Sequence, residues 1–213
     1  MRLTAVFLGV AAIPFIYYLI AFYSTWRFFR QSRKSAAPDR SFTPPVSNLK
    51  PIRGLDPDAY ENFASFCRQD YPDYEILFCV GDRDDPVLPV IEKLVEDFPE
   101  RRIRVLFGSG RNAANDKVAK LARLASEAQH EVVVMSDSDV RVRPDYLRTV
   151  VAPLADPKIG AVTCFYVPIG EKTFAENLQS MGMFSDFYAG VLVAWQLDGV
   201  KFALGRTIFW SGG

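Results

Sequence analysis

The sequence predicts an α/β protein with a mostly parallel sheet, preceded by one transmembrane helix. Three observations predict it. Residues Leu3–Tyr23, "LTAVFLGVAAIPFIYYLIAFY", carry no charge. From Val46 onward, short apolar runs alternate with longer stretches of helical periodicity. Two of those short runs end in acidic clusters, where an open parallel sheet presents its ligand-facing rim.

The uncharged N-terminal run matches the roughly 20 residues that cross a bilayer's hydrocarbon core. It exceeds the apolar region of about 7–15 residues in a cleaved signal peptide. Pro14 is tolerated in a membrane helix, and Tyr17, Tyr18, Tyr23 and Trp26 suit a membrane interface. Arg27, Arg30, Arg33 and Lys34 follow the run, against Arg2 alone before it. By the positive-inside rule, the rest of the chain is cytoplasmic. Residues 1–30 are therefore an anchor, and the polar, proline-bearing stretch within 31–45 is a linker. Residues 46–213 are the folded domain.

Each element of that domain has its own signal. Val46–Leu49 is a strand and Pro57–Gln69 a helix. Glu75–Val80 is a second strand, followed by a helix over Val87–Asp97 with Val87, Val90, Ile91, Leu94 and Val95 at helical spacing. Ile103–Phe107 is a third strand, and Lys117–Ala128, "KVAKLARLASEA", a helix. Glu131–Ser136 is a fourth strand, Pro144–Leu154 a helix begun by proline, and Ile159–Phe165 a fifth strand. The aromatic and Met-rich stretch Phe174–Val200 reads equally as core helices or as the floor of a lipid groove.

Bulk composition excludes several function classes. Twenty-five basic residues balance twenty-five acidic ones, so nothing in the overall charge calls for nucleic acid. Cys67, Cys79 and Cys164 are odd in number and far apart, which argues against disulfides and a zinc site. His130, in the polar "EAQHE", reads as a solvent-facing histidine.

The acidic clusters carry the chemistry. The second strand ends in "VGDRDDP", with Asp82, Asp84 and Asp85; the fourth ends in "SDSD", with Asp137 and Asp139. Aspartate after a strand is also a turn-former, and Asp85-Pro86 suits a helix start. Two clusters at the same end of one sheet point instead to a site. Oxygen ligands of this kind suit Mg2+ or Mn2+ bridged to substrate phosphates. Without a cation they repel a diphosphate, since like charges at about 4 Å cost about 1 kcal/mol even in water. Lys117 and Lys50 are candidates to help reverse that sign, whereas Lys120 reads as a surface lysine.

Other readings of Asp-Ser-Asp fit less well. Arg141 and Arg143 stand where an EF-hand loop needs further ligands. A haloacid-dehalogenase-type phosphatase places its Asp-x-Asp on the first strand, with a small or branched residue where Arg141 stands. "GSGRN" lacks the Gly-Lys-Ser/Thr ending of a phosphate loop.

Taken together, "VSNLKPIRGLDP", "QDYPDYEILFCVGDRDDP", "NDKVAKL" and "VVVMSDSDVRVRPDYL" resemble, in order and spacing, the ceramide glucosyltransferases of glycosyltransferase family 21. These are membrane-anchored enzymes of GT-A type, with a Rossmann-like, mostly parallel sheet, related to family 2. The hopanoid-associated glycosyltransferases are similar over the same stretch, roughly Val46 to Gly213. The resemblance implies transfer of glucose from a UDP-sugar to a lipid hydroxyl such as that of ceramide. A hopanoid or other lipid acceptor, or a non-catalytic nucleotide-sugar-binding chain, is the alternative.

Carried over by position, the resemblance puts Asp82 or Asp85 at the uracil or ribose, with Lys50 and Pro51 nearby and Lys117 beside the nucleotide sugar. Asp137 and Asp139 hold the divalent ion on the diphosphate. The animal ceramide enzymes have Gly in place of Asp139, which instead follows the wider family pattern. Gly205 falls in a segment near the acceptor. The family's further Asp, the expected base, and its Gln/Arg-x-x-Arg-Trp motif have no match before Gly213, so the expectation is a chain truncated at its C-terminus.

Overall fold

The computed structural model describes residues 2–34, 41–108, 115–170, 173–201, 204 and 207–211. The chain divides into two compact units, Met1–Ala37 with Tyr166–Phe202, and Pro38–Phe165 with Ala203–Gly213.

The larger unit is a six-stranded sheet with helices on both faces. Its strands are β1 (Val46–Pro51), β2 (Tyr74–Val80), β3 (Arg102–Phe107), β4 (Val132–Ser136), β5 (Ala161–Thr163) and β6 (Thr207–Ser211), in the order β3-β2-β1-β4-β6-β5. β1 to β4 pair in parallel. β2 is buried along its whole length, as expected of a central strand covered on both faces. Its side chains alternate: Ile76, Phe78 and Val80 join a core with Phe63, Phe66, Ile91 and Leu147. Leu77 and Cys79 join another with Leu124. Thus α2 (Ala59–Cys67), α3 (Leu88–Asp97) and α5 (Tyr146–Val151) cover one face, and α4 (Asp116–Glu127) the other.

The sheet is not wholly parallel. β6 lies antiparallel between β4 and β5, a strand that periodicity did not mark, and β5 is shorter than the predicted Ile159–Phe165. The three cysteines are free, in keeping with their spacing.

At the amino ends of the strands, Glu75 is buried but satisfied. It accepts from Ser47 Oγ at 2.6 Å, Gln129 N at 2.8 Å and Arg104 Nη2 at 3.0 Å. This carboxylate is structural, at the sheet end opposite the acidic clusters. His130 adjoins it and is half-buried, which corrects the solvent-facing reading: its backbone N–H donates to Ser47 Oγ at 3.1 Å. Burial lowers its pKa below 6.5. The unfolded chain therefore takes up a proton that the folded histidine resists, so stability present above pH 6.5 is lost as pH falls through that region. We expect the urea midpoint to drop between about pH 7.5 and 5.5, and His130→Gln to flatten that drop.

The smaller unit is helical. α1 (Arg2–Lys34) extends beyond the uncharged run on both sides, and its Gly9–Ser32 stretch is long and apolar enough to cross a membrane. The segment after β5 forms α6 (Phe174–Gly182), a π-helical turn over Met183–Tyr188, and α7 (Ala189–Asp198). Thr173 and Glu176 close a reciprocal cap at its start. α7 packs on α1: Trp195 stacks edge-on against Phe28 with centroids 5.6 Å apart, and Arg27 Nη1 donates to Gln196 Oε1 at 3.0 Å. Of the predicted linker, residues 35–40 lie outside the described residues.

Candidate functional site

The parallel strands β1 to β4 end at one rim, and the residues singled out from the sequence follow those ends. Asp137 is the first residue after β4. One of its oxygens, Oδ1, lies 2.5 Å from Lys117 Nζ, on the first turn of α4. That turn is fixed locally. Asn115 Oδ1 caps it by accepting from Val118 N at 3.3 Å, and Asp116 Oδ2 pairs with Lys120 Nζ at 2.7 Å.

Lys120 is buried, not a surface lysine: its amine also donates to Ile52 O at 2.9 Å, tying α4 to the exit of β1. The sequence carries a sign of this, since Lys120 stands one turn from both Asp116 and the buried Leu124.

Lys50, at the end of β1, has no accessible surface. Its Nζ donates to Asp137 O at 3.1 Å and Ser136 Oγ at 3.3 Å, and lies 3.5 Å from the Phe66 ring centroid. Burial pulls its pKa down to about 7, against the opposing pull of Asp137 and Asp139. This amine holds the underside of the Asp137 loop. Pro51 closes β1 directly after it.

One loop connects both acidic clusters. Gly54, at φ 73°, a region that favours glycine, donates its N–H to Asp85 Oδ2 at 3.0 Å. Asp85 Oδ1 accepts from Val87 N at 3.0 Å, so Asp85 braces two loops as the turn chemistry suggests. Asp56 accepts a hydrogen bond from Ser138 Oγ, between the two aspartates. Asp82 is exposed, and among the described residues its side chain forms no ion pair. Sequence reasoning missed Asp56, Asp116, Ser136 and Phe66, whose roles appear only when distant segments meet. Gly205 lies outside the described residues.

Asp137 and Asp139 fit a hard divalent ion. Both offer oxygen, Asp139 is exposed, and the ammonium on Asp137 shows that the position accepts a cation. No cluster of three or more metal-binding side chains occurs among the described residues, so an ion here would complete its shell with phosphate oxygens and water.

The family model for glycosyl transferase family 21 matches residues 6–212. Ceramide glucosyltransferase 1 of Caenorhabditis elegans is 29% identical over 155 residues, covering 72% of this chain and 32% of the relative. Ceramide glucosyltransferase of Komagataella phaffii is 31% identical over 142 residues, covering 62% and 28%. The chain thus spans about a third of the length of these curated relatives.

Among solved structures, a mannosyltransferase from Pyrobaculum calidifontis in complex with GDP-Man and Mn2+ superposes with a TM-score of 0.68 at 21% identity. That match covers 97% of this chain and 55% of the other. Glucosyl-3-phosphoglycerate synthase from Mycobacterium tuberculosis, in complex with Mn2+, UDP and phosphoglyceric acid, gives 0.52 at 16% identity, covering 82% and 58%. These likenesses establish the GT-A fold. With its sequence matched from residue 6 to 212, the chain belongs to glycosyl transferase family 21.

Proposed function

We propose that this chain is part of a membrane-anchored glycosyltransferase that moves glucose from a UDP-sugar to a lipid hydroxyl such as that of ceramide. The observation that carries the reading is the Asp137–Lys117 ion pair, set beside Asp139 on the rim of a family 21 sheet. Ceramide as acceptor is supported by the names of the curated relatives, and a divalent ion by the Mn2+ held by the superposed enzymes.

In this reading Asp137 and Asp139 are the residues that would hold Mg2+ or Mn2+ at the donor site. The bound ion supplies charge neutralisation for departing UDP. Lys117 would exchange Asp137 for a phosphate oxygen of the donor, and the exposed Asp82 would meet the uridine. Asp85 and Lys50 shape the loops. The acceptor oxygen attacks the anomeric carbon, the bond to UDP breaks with its electron pair going to UDP, and a base takes the hydroxyl proton, with inversion. No described residue is assigned as that base. α1 crosses the membrane, and the excess of Arg and Lys after it supports a cytoplasmic position for the sheet.

The test is to incubate membranes containing the full-length protein with UDP-glucose, UDP-N-acetylglucosamine or UDP-galactose and identify lipid products by mass spectrometry. A glucosylated ceramide is expected. A hopanoid product overturns the acceptor, a different sugar overturns the donor, and UDP-sugar binding without any lipid product overturns transfer.

A further inference from the structure

Between Glu176 and Asp198 the helical segment carries a single charge, Asp186. It stands on the π-helical turn Met183–Tyr188 that separates α6 from α7. Such turns are rare and recur at functional sites, because the extra residue re-aims the side chains that follow it. The turn is secured on its far side by Tyr188, which is buried, accepts from Tyr166 N at 3.2 Å and donates to Tyr166 O.

Asp186 lines an open groove of about 350 Å3 with Phe187, Gly190, Val191 and Ala194. The lining is almost wholly apolar, and Asp186 is the one charged residue among those that line it. Among the described residues, no cation pairs with that carboxylate. Gly190 faces α1, for a Cβ there would stand at an ordinary contact distance, 3.8 Å, from Tyr17 Oη. Tyr17 lies within the Gly9–Ser32 stretch that is long enough to cross a membrane. One wall of the groove thus adjoins α1. The exposed Phe184 and Leu197 extend the apolar surface along the same segment.

With α1 crossing the membrane as proposed, the Tyr17 contact sets this groove beside the membrane helix, where a carboxylate is costly unless it meets a donor. We infer that the groove bounded by Asp186, Phe187, Gly190, Val191 and Ala194 is a lipid-binding site, taking a long-chain lipid whose hydroxyl or amide N–H donates to Asp186. The hydrocarbon lies along Phe187, Val191 and Ala194. This rests on the lipid-acceptor reading, and it identifies which surface of the helical unit receives the lipid.

The probe is a long-chain N-acyl amino alcohol with a diazirine in its acyl chain, at trace level in phosphatidylcholine vesicles holding the full-length protein. Adducts are mapped by peptide mass spectrometry after irradiation, without donor sugar. Labelling of residues 183–198 is expected to exceed that by diazirine-bearing phosphatidylcholine or phosphatidylethanolamine. Asp186→Leu removes the acceptor and Ala194→Trp fills the groove. Each is expected to cut labelling about five-fold or more, for Asp186→Leu the scale of one lost hydrogen bond and for Ala194→Trp by steric exclusion. Unchanged helical circular dichroism and unchanged labelling along α1 confirm that each variant is folded.

Equal labelling by the three probes, or labelling indifferent to both substitutions, overturns the site. Because no turnover is needed, the two readings fail separately. A chain that labels here but transfers no sugar overturns transfer alone, whereas one that transfers sugar without labelling here overturns the groove alone.

Discussion

Replacing Asp139 or Asp137 by Asn is expected to lower sugar transfer by at least about 100-fold if they hold the metal as proposed, because loss of a metal ligand should cost no less than loss of its supporting partners. Asparagine keeps the shape of the side chain and removes the charge. Asp139 is exposed, so its replacement costs within about 0.5 kcal/mol of stability. Asp137 loses its pair with Lys117, but that lysine is about half exposed, and such pairs contribute only about 0–1 kcal/mol.

Fold and function are thus separable at these positions. The measurements are the rate of transfer as Mn2+ is titrated and Mn2+ binding in the absence of donor, followed by electron paramagnetic resonance. Both variants should bind Mn2+ more weakly, and chelation of wild type should reproduce the loss of transfer until Mn2+ or Mg2+ is restored. Wild-type rates and Mn2+ dependence in the Asn variants would sink the assignment. Lys117→Met offers a contrasting result: Mn2+ should bind more tightly without donor, since an ammonium no longer competes for Asp137, while the KM for UDP-sugar rises.

Much of this arrangement is legible before folding. The valines of Val132–Val134 identify a buried strand, alternation of strands and helices identifies the sheet, and the rim rule then selects Asp137 and Asp139. What sequence periodicity does not carry is the partner of a charge. Lys50 reads as a site residue and Lys120 as a surface lysine, and periodicity marks neither as buried. They are buried because Ser136 and Asp137 in one case, and Asp116 with the Ile52 carbonyl in the other, supply acceptors from other elements. Nor does periodicity reveal β6. Five residues near the end of the chain make too short a pattern to separate from a loop, and their antiparallel place is fixed by pairing with β4 and β5.

The Lys50→Met substitution is expected to preserve the fold while transfer falls about 10–100-fold, the scale seen when the support of a metal ligand is removed. Lys50 touches no solvent, so its effect must pass through the loop it holds. Methionine matches its unbranched length, and a thioether packs well against a ring such as Phe66, whose centroid lies 3.5 Å from the amine. The variant loses bonds to Asp137 O and Ser136 Oγ but also loses the cost of burying an amine, so stability should change by no more than about 2 kcal/mol.

Lys50→Arg should not rescue activity, because the larger, permanently charged guanidinium has no room among Phe63, Phe66 and Ser136. Ser136→Ala removes one of the two anchors and should give an intermediate rate. The distinguishing readout is the Mn2+ concentration for half-maximal transfer, which rises if Lys50 positions Asp137. A Lys50→Met protein with the wild-type Mn2+ requirement and rate would reduce Lys50 to core filling. A loss of rate with unchanged Mn2+ requirement would exclude the loop as its route of action. With the expected shift, the amine beneath the rim and the carboxylates upon it act as one unit, which gives a lysine a role where an apolar residue would fold equally well.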